Sequence, residues 1–405
     1  MIKSTFNIIK LIKRTYQINL LNTFLHKIFA TTSLNGSAIA IKFVIHSFNI
    51  EMKQFFAILL IFVPTILAHD YEHSTKRLKL AMFSQCELMK LYKEYQLTHN
   101  HYRHPNEHIG RMRIFRTEIR KILSFRSNIQ IKWKAGINLM ADMTEEEVQL
   151  MKGLHSNSSS SDTMYLNAGV PDTRQLLHMP AEFDEWRANK MIGPVRFQVK
   201  GSCWAHSAVV PMEAQIAQLT DRYRQLSVQE LYDCVYPAGH DLSAGGRVSD
   251  AWQSVRERGR LGLDSEFPET LFKKRHPCNR YKGSTNGMEG FVVTKWYKVS
   301  TEHDLFEHLA AVSPITVSMD TKGCWLKLYR GGLFSADRCR TEPDHGMVVV
   351  GYTRDAIIVR NSWGTFWGDA GYVNWDRRGL KCCMLDNAFY PYVEREKKKT
   401  GRMME

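Results

Sequence analysis

Across its first fifty positions the 405-residue chain has no aspartate or glutamate at all. Cysteine is just as unevenly placed, since only Cys86 of the eight precedes residue 200. Nowhere does the chain hold the roughly 18–20 uninterrupted apolar residues that a spanning helix needs, which excludes a multipass membrane protein. It has no internal repeat of solenoid period, so a stacked-array architecture is excluded as well. A concentrated basic face is also missing, despite a formal net charge of +14. Residues 1–180 carry 23 basic and 13 acidic residues, whereas residues 181–405 carry 32 and 28. The excess belongs to the leading segments, and no nucleic-acid partner is implied. Hydrophobic residues at 44% and charged residues at 24% rule out wholesale disorder.

The leading segments divide in two. Residues 1–51 place Lys3, Lys10, Lys13, Arg14, Lys27 and Lys42 among apolar and hydroxylated neighbours, a composition like that of an organellar transit peptide. Met52 and Lys53 then precede the 14-residue apolar run FFAILLIFVPTILA. A short positive start, an apolar core and a small final residue make residues 52–68 a secretory signal peptide. Met52 is read as the working start and residues 1–51 as an upstream extension. A true targeting extension or a signal anchor is the rival reading. Cysteines gathered in the later half agree with a secreted chain that keeps them for disulfides. Asn157, inside the polar run SNSSSSD, matches a glycosylation acceptor, or else belongs to a plain flexible linker. The implied location is the secretory pathway, lysosomal or extracellular, with no stable membrane span after signal removal.

Residues 69–155 carry apolar residues at three- and four-residue steps in LKLAMFSQCELMKLYKEYQL and GRMRIFRTEIRKILSF, which predicts helices. Residues 156–179 form a linker, residues 180–394 the main folded segment and residues 395–405 a charged tail. The main segment mixes a helix near 203–219 with strand-like runs FVVTKWYKV, ITVSM, MVVVGY and AIIVR.

Three places in that segment hold chemistry. Cys203 lies at the start of the helical run, where the helix dipole favours a thiolate. His345 opens the MVVVGY run, and Asn361 follows AIIVR directly. A thiol, an imidazole and an amide brought together by folding are what nucleophilic acyl transfer needs.

The surrounding blocks resemble the papain family of cysteine proteases, most nearly its cathepsin L-like branch. The resemblance runs from Pro180 to Tyr392. It includes GSCWA at 201–205, LSVQELYDC at 226–234, YRGGLF at 329–334, DHGMVVVGY at 344–352 and NSWGTFWGDAGY at 361–372. It implies an α+β, papain-like fold of two halves, one helical and one barrel-like, with a cleft between. Residues 69–155 resemble the family's helical inhibitory propeptide through Glu107, Arg111, Phe115 and Ile122, then Gly136, Asn138, Met140 and Asp142. Glu118 and Arg126 replace two asparagines of that pattern. By resemblance the propeptide lays its following strand backwards through the cleft as an intramolecular inhibitor.

The resemblance further implies a cysteine endopeptidase acting on peptide or protein substrates as a monomer, without cofactor or metal. Cys203 would be the nucleophile, His345 the general base and acid, Asn361 the orienting amide and Gln198 an oxyanion donor. Trp363 would cover the His345–Asn361 hydrogen bond. Gly245, Gly246, Val248, Ser318, Gly346 and Asn387 fall near substrate-binding positions. Disulfides Cys234–Cys278 and Cys339–Cys382 are implied, leaving Cys324 and Cys383 as a further candidate bridge. His99, His101, His104 and His108 invite a metal reading, but no completing pattern accompanies them, and pH sensing suits them better.

Departures from the family touch the oxyanion region. Gln198 stands five positions before Cys203 instead of six, and both halves of one customary disulfide are missing together, with Ser243-Ala244 in place of a Cys-Asn pair. His206 replaces the usual aromatic residue three positions after the nucleophile. A catalytically weak relative that binds peptides or acts as a scaffold is therefore the alternative reading. Acidification should protonate Asp142 and its neighbours and charge the histidines, which loosens the propeptide. Precursor held at about pH 4–5, where carboxylates titrate, is expected to process itself between Ser158 and Met179. Precursor that stays full length and inert under those conditions would require a separate processing enzyme.

Overall fold

The computed structural model describes residues 85–99, 105–154, 179–198, 200–237, 245–270, 276–283, 286–321, 325–335, 342–378 and 384–396. The leader segments, Asn157, His101, His104, Cys324, Cys339, Cys382, Cys383 and the end of the tail lie outside these residues. All described residues belong to one compact unit, Leu80–Glu405. Among them, no helix is long and apolar enough to cross a membrane.

Two long helices open the structure, α1 (Gln85–Thr98) and α2 (His108–Ser127). They meet through Tyr92 and Tyr95, whose rings lie 5.1 and 5.0 Å from Phe115. A short strand β1 (Trp133–Ala135) and helix α3 (Glu145–Leu150) follow. Thr144 starts α3 with a capping box, accepting from Glu147 N while the Glu147 carboxylate accepts from Thr144 N. Asp142 accepts from the Tyr92 and Tyr95 hydroxyls, both at 3.0 Å. Arg111 clamps Glu147 through two nitrogens and also reaches the Asp142 carbonyl. These contacts tie the ends of the prodomain together and fix where the chain leaves it.

The next segment is helical: α4 (Glu185–Ala188), α5 (Cys203–Thr220), α6 (Val228–Cys234) and α7 (Val248–Arg258). Helix α5 is buried at every position from Cys203 to Ala217, the polar His206, Ser207, Glu213 and Gln215 included, and runs through the core. Cys234 and Cys278 are disulfide-bonded with Cα atoms 5.0 Å apart, the first of the pairings expected from the family resemblance.

The β half comprises β2 (Phe291–Val299), helix α8 (Glu302–Ala311), β3 (Ile315–Met319), β4 (Tyr329–Phe334), β5 (His345–Tyr352), β6 (Ala356–Arg360), β7 (Tyr372–Asp376) and β8 (Ala388–Arg395). With β1 they form one eight-stranded sheet in the order β1-β4-β7-β6-β5-β3-β8-β2. Neighbours are antiparallel except the β4–β7 pair. Strands β3, β5 and β6 are buried at every position, which accounts for the apolar runs within β5 and β6. Strand β5 packs on α5 and brings His345, its first residue, towards Cys203, the first residue of α5.

His308 on α8 is 4% exposed, and neither ring nitrogen hydrogen-bonds to a protein group. Burial pushes its pKa below the ordinary histidine range. The folded residue stays neutral where the unfolded chain would bind a proton. Its contribution to stability is therefore complete above about pH 6.5 and is lost as the pH falls towards the folded pKa. Replacing His308 with Leu should flatten this dependence. Urea midpoints compared at about pH 7.5 and about pH 5 should drop less for the variant than for the wild type.

Candidate active site

Cys203 is wholly buried at the N-terminus of α5. Opposite it, His345 Nε2 lies 2.9 Å from Asn361 Oδ1, and Asn361 Oδ1 also accepts the Ser362 backbone N–H at 2.7 Å. Trp363 stacks on the imidazole with ring centroids 4.6 Å apart. It thereby shields the His345–Asn361 hydrogen bond from solvent. His345 Nδ1 is buried and hydrogen-bonds to no protein group.

Gln198 lies in the same site. It is fully buried, and its Nε2 donates to Met151 O at 2.6 Å and to Lys200 O at 2.7 Å. Its Oε1 accepts from the Ser362 hydroxyl. In the shortened stretch before Cys203, Lys200 adopts φ 65°, a left-handed conformation uncommon outside glycine. Gln198 N still bonds Ser362 O at 2.7 Å, so the segment keeps its place beside the Asn361 loop.

The cleft over these residues is filled by the chain's own residues 151–154. Gly153 N donates to Cys203 Sγ at 3.3 Å. Gly153 O accepts from Gly246 N at 2.9 Å, and Leu154 N donates to Asp344 O at 3.3 Å. The approach is so close that a Cβ on Gly153 would lie 1.9 Å from Gly201 O, and only glycine fits. Gly245, at φ 82°, faces the same strand: a Cβ there would meet Gly153 O at 2.2 Å. Lys152 forms a buried ion pair with Asp344, Nζ to Oδ2 3.2 Å.

Of the other residues expected near substrate, Val248 begins α7 and is buried, and Ser318 pairs with Gly346 across β3 and β5. Ser318 N donates to Asn387 O at 2.9 Å, so Asn387 closes the same corner. Gly245 and Gly246 thus meet the 151–154 strand, and Ser318, Gly346 and Asn387 form one corner beside Cys203.

The prodomain is anchored outside the cleft too. Strand β1 extends the sheet by pairing Trp133 with Gly332 and Ala135 with Tyr329. Gly136 N donates to Leu328 O at 2.9 Å, and Asn138 Nδ2 donates to Lys327 O at 2.6 Å. Phe125, Trp133, Trp325 and Phe334 pack with ring centroids 5.0–5.2 Å apart. Such aromatic pairs contribute about 0.5–1.5 kcal/mol each beyond their burial. Glu118, which departs from the family pattern, is buried and pairs with Lys327 Nζ at 3.3 Å and with Lys121 Nζ at 2.8 Å. Arg126, the second departure, donates to Ala135 O at 2.9 Å.

Comparison with known proteins agrees with this architecture. The family description "Papain family cysteine protease" matches residues 179–392, more than half of the chain. The chain belongs to the papain family of cysteine proteases. A second description, "Cathepsin propeptide inhibitor domain (I29)", matches residues 92–148. "Digestive cysteine proteinase 3" of Homarus americanus is 31% identical over 299 residues, covering 71% of this chain and 89% of that protein. "Cathepsin L2" of Homo sapiens is 33% identical over 269 residues, covering 64% and 77%. The solved structure of digestive procathepsin L 3 from Tenebrio molitor larval midgut superposes with a TM-score of 0.63 at 25% identity, covering 75% of this chain and 99% of that one. The protein is a cathepsin L-like cysteine proteinase that carries its own inhibitory propeptide domain.

Sequence reasoning missed several residues at the cleft. Ser362, which holds Gln198, lay in plain view within the NSWG block. Lys152 and Gly153 had no local signal, because their roles come from contact with residues far along the chain.

Burial sets the charge state of the closed site. Desolvation raises the Cys203 thiol to about 11, against weaker opposing hydrogen bonds from Gly346 and Gly153. Desolvation also lowers His345, only partly offset by its hydrogen bond to Asn361 and by Asp344; Lys152 pushes it further down. Both shifts favour a neutral thiol beside a neutral imidazole, which is the unreactive pair. Alkylation of Cys203 by iodoacetamide at neutral pH should therefore be at least about 10²-fold slower in the intact precursor than after propeptide removal, since each pKa unit is a factor of ten in thiolate. Quenched time courses read by mass at Cys203 would measure this, and equal rates would contradict it.

Proposed function

We propose that the proteinase hydrolyses peptide bonds through Cys203, His345 and Asn361 by way of a thioester acyl-enzyme. The observation that carries this reading is the 2.9 Å His345 Nε2–Asn361 Oδ1 bond under Trp363, set against a cysteine at a helix N-terminus. In this reading Asn361 fixes the imidazole so that Nδ1 faces the thiol. His345 takes the thiol proton, and the thiolate attacks the scissile carbonyl. Gln198 Nε2 and the Cys203 backbone N–H stabilise the oxyanion of the tetrahedral intermediate. His345 then returns the proton to the leaving amine, and water releases the acyl group by the same steps in reverse order of roles. Support for Gln198 comes from its reach, since its amide already donates to a peptide carbonyl in the cleft, that of Met151.

Residues 151–154 act as the inhibitory segment, with peptide or protein substrates taking their place between Gly246 and His345 after activation. Cleavage is proposed within residues 156–179, ahead of a peptidase unit spanning 180–394. Secretory routing through residues 52–68 is proposed as well, and the Cys234–Cys278 disulfide is compatible with that compartment.

Two measurements test the mechanism. A peptidyl vinyl-sulfone probe should label the processed enzyme at Cys203 alone, and a folded but unlabelled enzyme would favour the peptide-binding scaffold instead. Gln198→Ala should lower kcat by about 10²–10³ with little change in KM, because the donor acts on charge that develops only in the transition state. Unchanged kcat would remove Gln198 from the mechanism.

A further inference from the structure

Asp344 stands directly before His345, and its carboxylate is held in a fixed position. Its N–H donates to Met319 O at 2.9 Å, and its carbonyl accepts from Leu154 N at 3.3 Å. Oδ1 accepts both the backbone N–H and the hydroxyl of Thr321, each at 2.8 Å. Those two donors orient the carboxylate and leave Oδ2 for another partner. Among the described residues that partner is Lys152 Nζ, at 3.2 Å, and both side chains of the ion pair are buried. Lys152 belongs to the inhibitory segment. When that segment leaves, Asp344 keeps its fixed geometry and loses its cation, and a charged group held in place without a partner is costly.

The contacts of the segment say which side of the thiol this is. Leu154 pairs with Gly246 and Gly153 N meets Cys203 Sγ, so Lys152 lies beyond the thiol from Gly246. There it borders a cavity of about 250 Å³, whose other walls include Thr321, Trp325, Leu326, Lys327 and Trp363. Trp363 stacks on His345, the group that hands a proton to the leaving amine in the proposed mechanism. This side of the cleft therefore receives the residue that follows the scissile bond. It suits a long cation. Loss of the prodomain side chains Lys121, Glu145, Val148 and Lys152 widens the cavity, and Leu326 and Trp363 remain as an apolar wall for a methylene stem. The prodomain meets the neighbouring enzyme charge in the same way, since Lys327 pairs with Glu118 and Glu145 at 3.3 and 3.5 Å. Asp344 and Lys327 are thus each matched by an opposite charge, and the prodomain is a template of what this side accepts.

We propose that Asp344 is a specificity-determining residue that selects lysine or arginine immediately after the scissile bond, its Oδ2 taking the substrate cation where it now takes Lys152 Nζ. Thr321 is the positioning residue of this subsite, because it fixes Oδ1 and so aims Oδ2. The assignment to the leaving side rests on the proposed Cys203–His345–Asn361 mechanism, whereas the preference for a cation rests on the Lys152–Asp344 geometry alone.

The test gives processed enzyme a set of internally quenched peptides that share one acyl half, carrying Leu as the prodomain does beside Gly246. They differ only in the residue after the scissile bond, which is Lys, Arg, Nε-acetyl-lysine, Gln or Glu, and mass analysis of the products identifies the bond cut. For Lys and Arg, kcat/KM should be about tenfold higher than for acetyl-lysine and Gln, the low end for a hydrogen bond to a charged group, with Glu the poorest. Equal values for Lys and acetyl-lysine, or cleavage after the lysine in place of before it, overturn the proposal. Asp344→Asn should erase the Lys-over-Gln ratio, a readout that cancels any effect of the substitution on His345 itself. Should that variant fail to fold, Thr321→Val removes a donor from Oδ1 while keeping the charge, and should lower the ratio. A ratio unchanged in Asp344→Asn, or in Thr321→Val where only that one folds, overturns the role of Asp344. No cleavage of any peptide refutes the catalytic mechanism instead. Calorimetric dissociation constants of the same peptides on that protein then decide the subsite, and the Lys peptide must bind about tenfold tighter than the Gln peptide.

Discussion

Strand β1 has only three residues, Trp133–Ala135, yet its pairing with β4 decides where the remainder of the prodomain falls. A strand's side chains alternate between faces, so a one-residue slip would turn Trp133 away from Phe125 and Phe334. It would also carry Asn138 off the Lys327 carbonyl. From this fixed edge, Asp142 and Glu147 hold the chain to the two long helices, and α3 delivers residues 151–154 into the cleft. The glycine at 153 then passes within reach of Cys203 Sγ. The position of the cleft segment is thus set by the register of β1.

Much of this was legible in the residues. The apolar runs within β5 and β6 belong to strands buried at every position, while α5 buries His206, Ser207, Glu213 and Gln215 along with its apolar residues. Cys203, His345, Asn361 and Gln198 sit in blocks whose order marks the family. What could not be read was pairing at a distance. Glu118 stood out as a departure from an asparagine pattern, but its meaning lies in Lys327, on the other side of the interface. Lys152 and Asp344 are likewise silent until folding removes both from water. His206 was most simply a packed helix residue; burial and the Glu269 carboxylate give it a defined orientation.

Around the shortened loop before Cys203, Lys200 holds a positive φ, while Gln198 upstream bonds Ser362 and Gly201 downstream contacts the cleft strand. A residue in a left-handed conformation costs on the order of 1 kcal/mol or more, about the worth of one hydrogen bond.

Residues 151–154 lie on the prodomain side of residues 155–178. A cut within that stretch leaves the blocking strand joined to its helices and to β1, so severing the chain and opening the cleft are separate events. Before the cut, the inhibitor is present at the high effective concentration of a tethered ligand; afterwards it is an ordinary partner that must compete by mass action. Nicked protein should therefore stay shut when crowded and open on dilution. Its activity would depend on how much of it is gathered in one place, a form of control that no residue in the cleft has to provide.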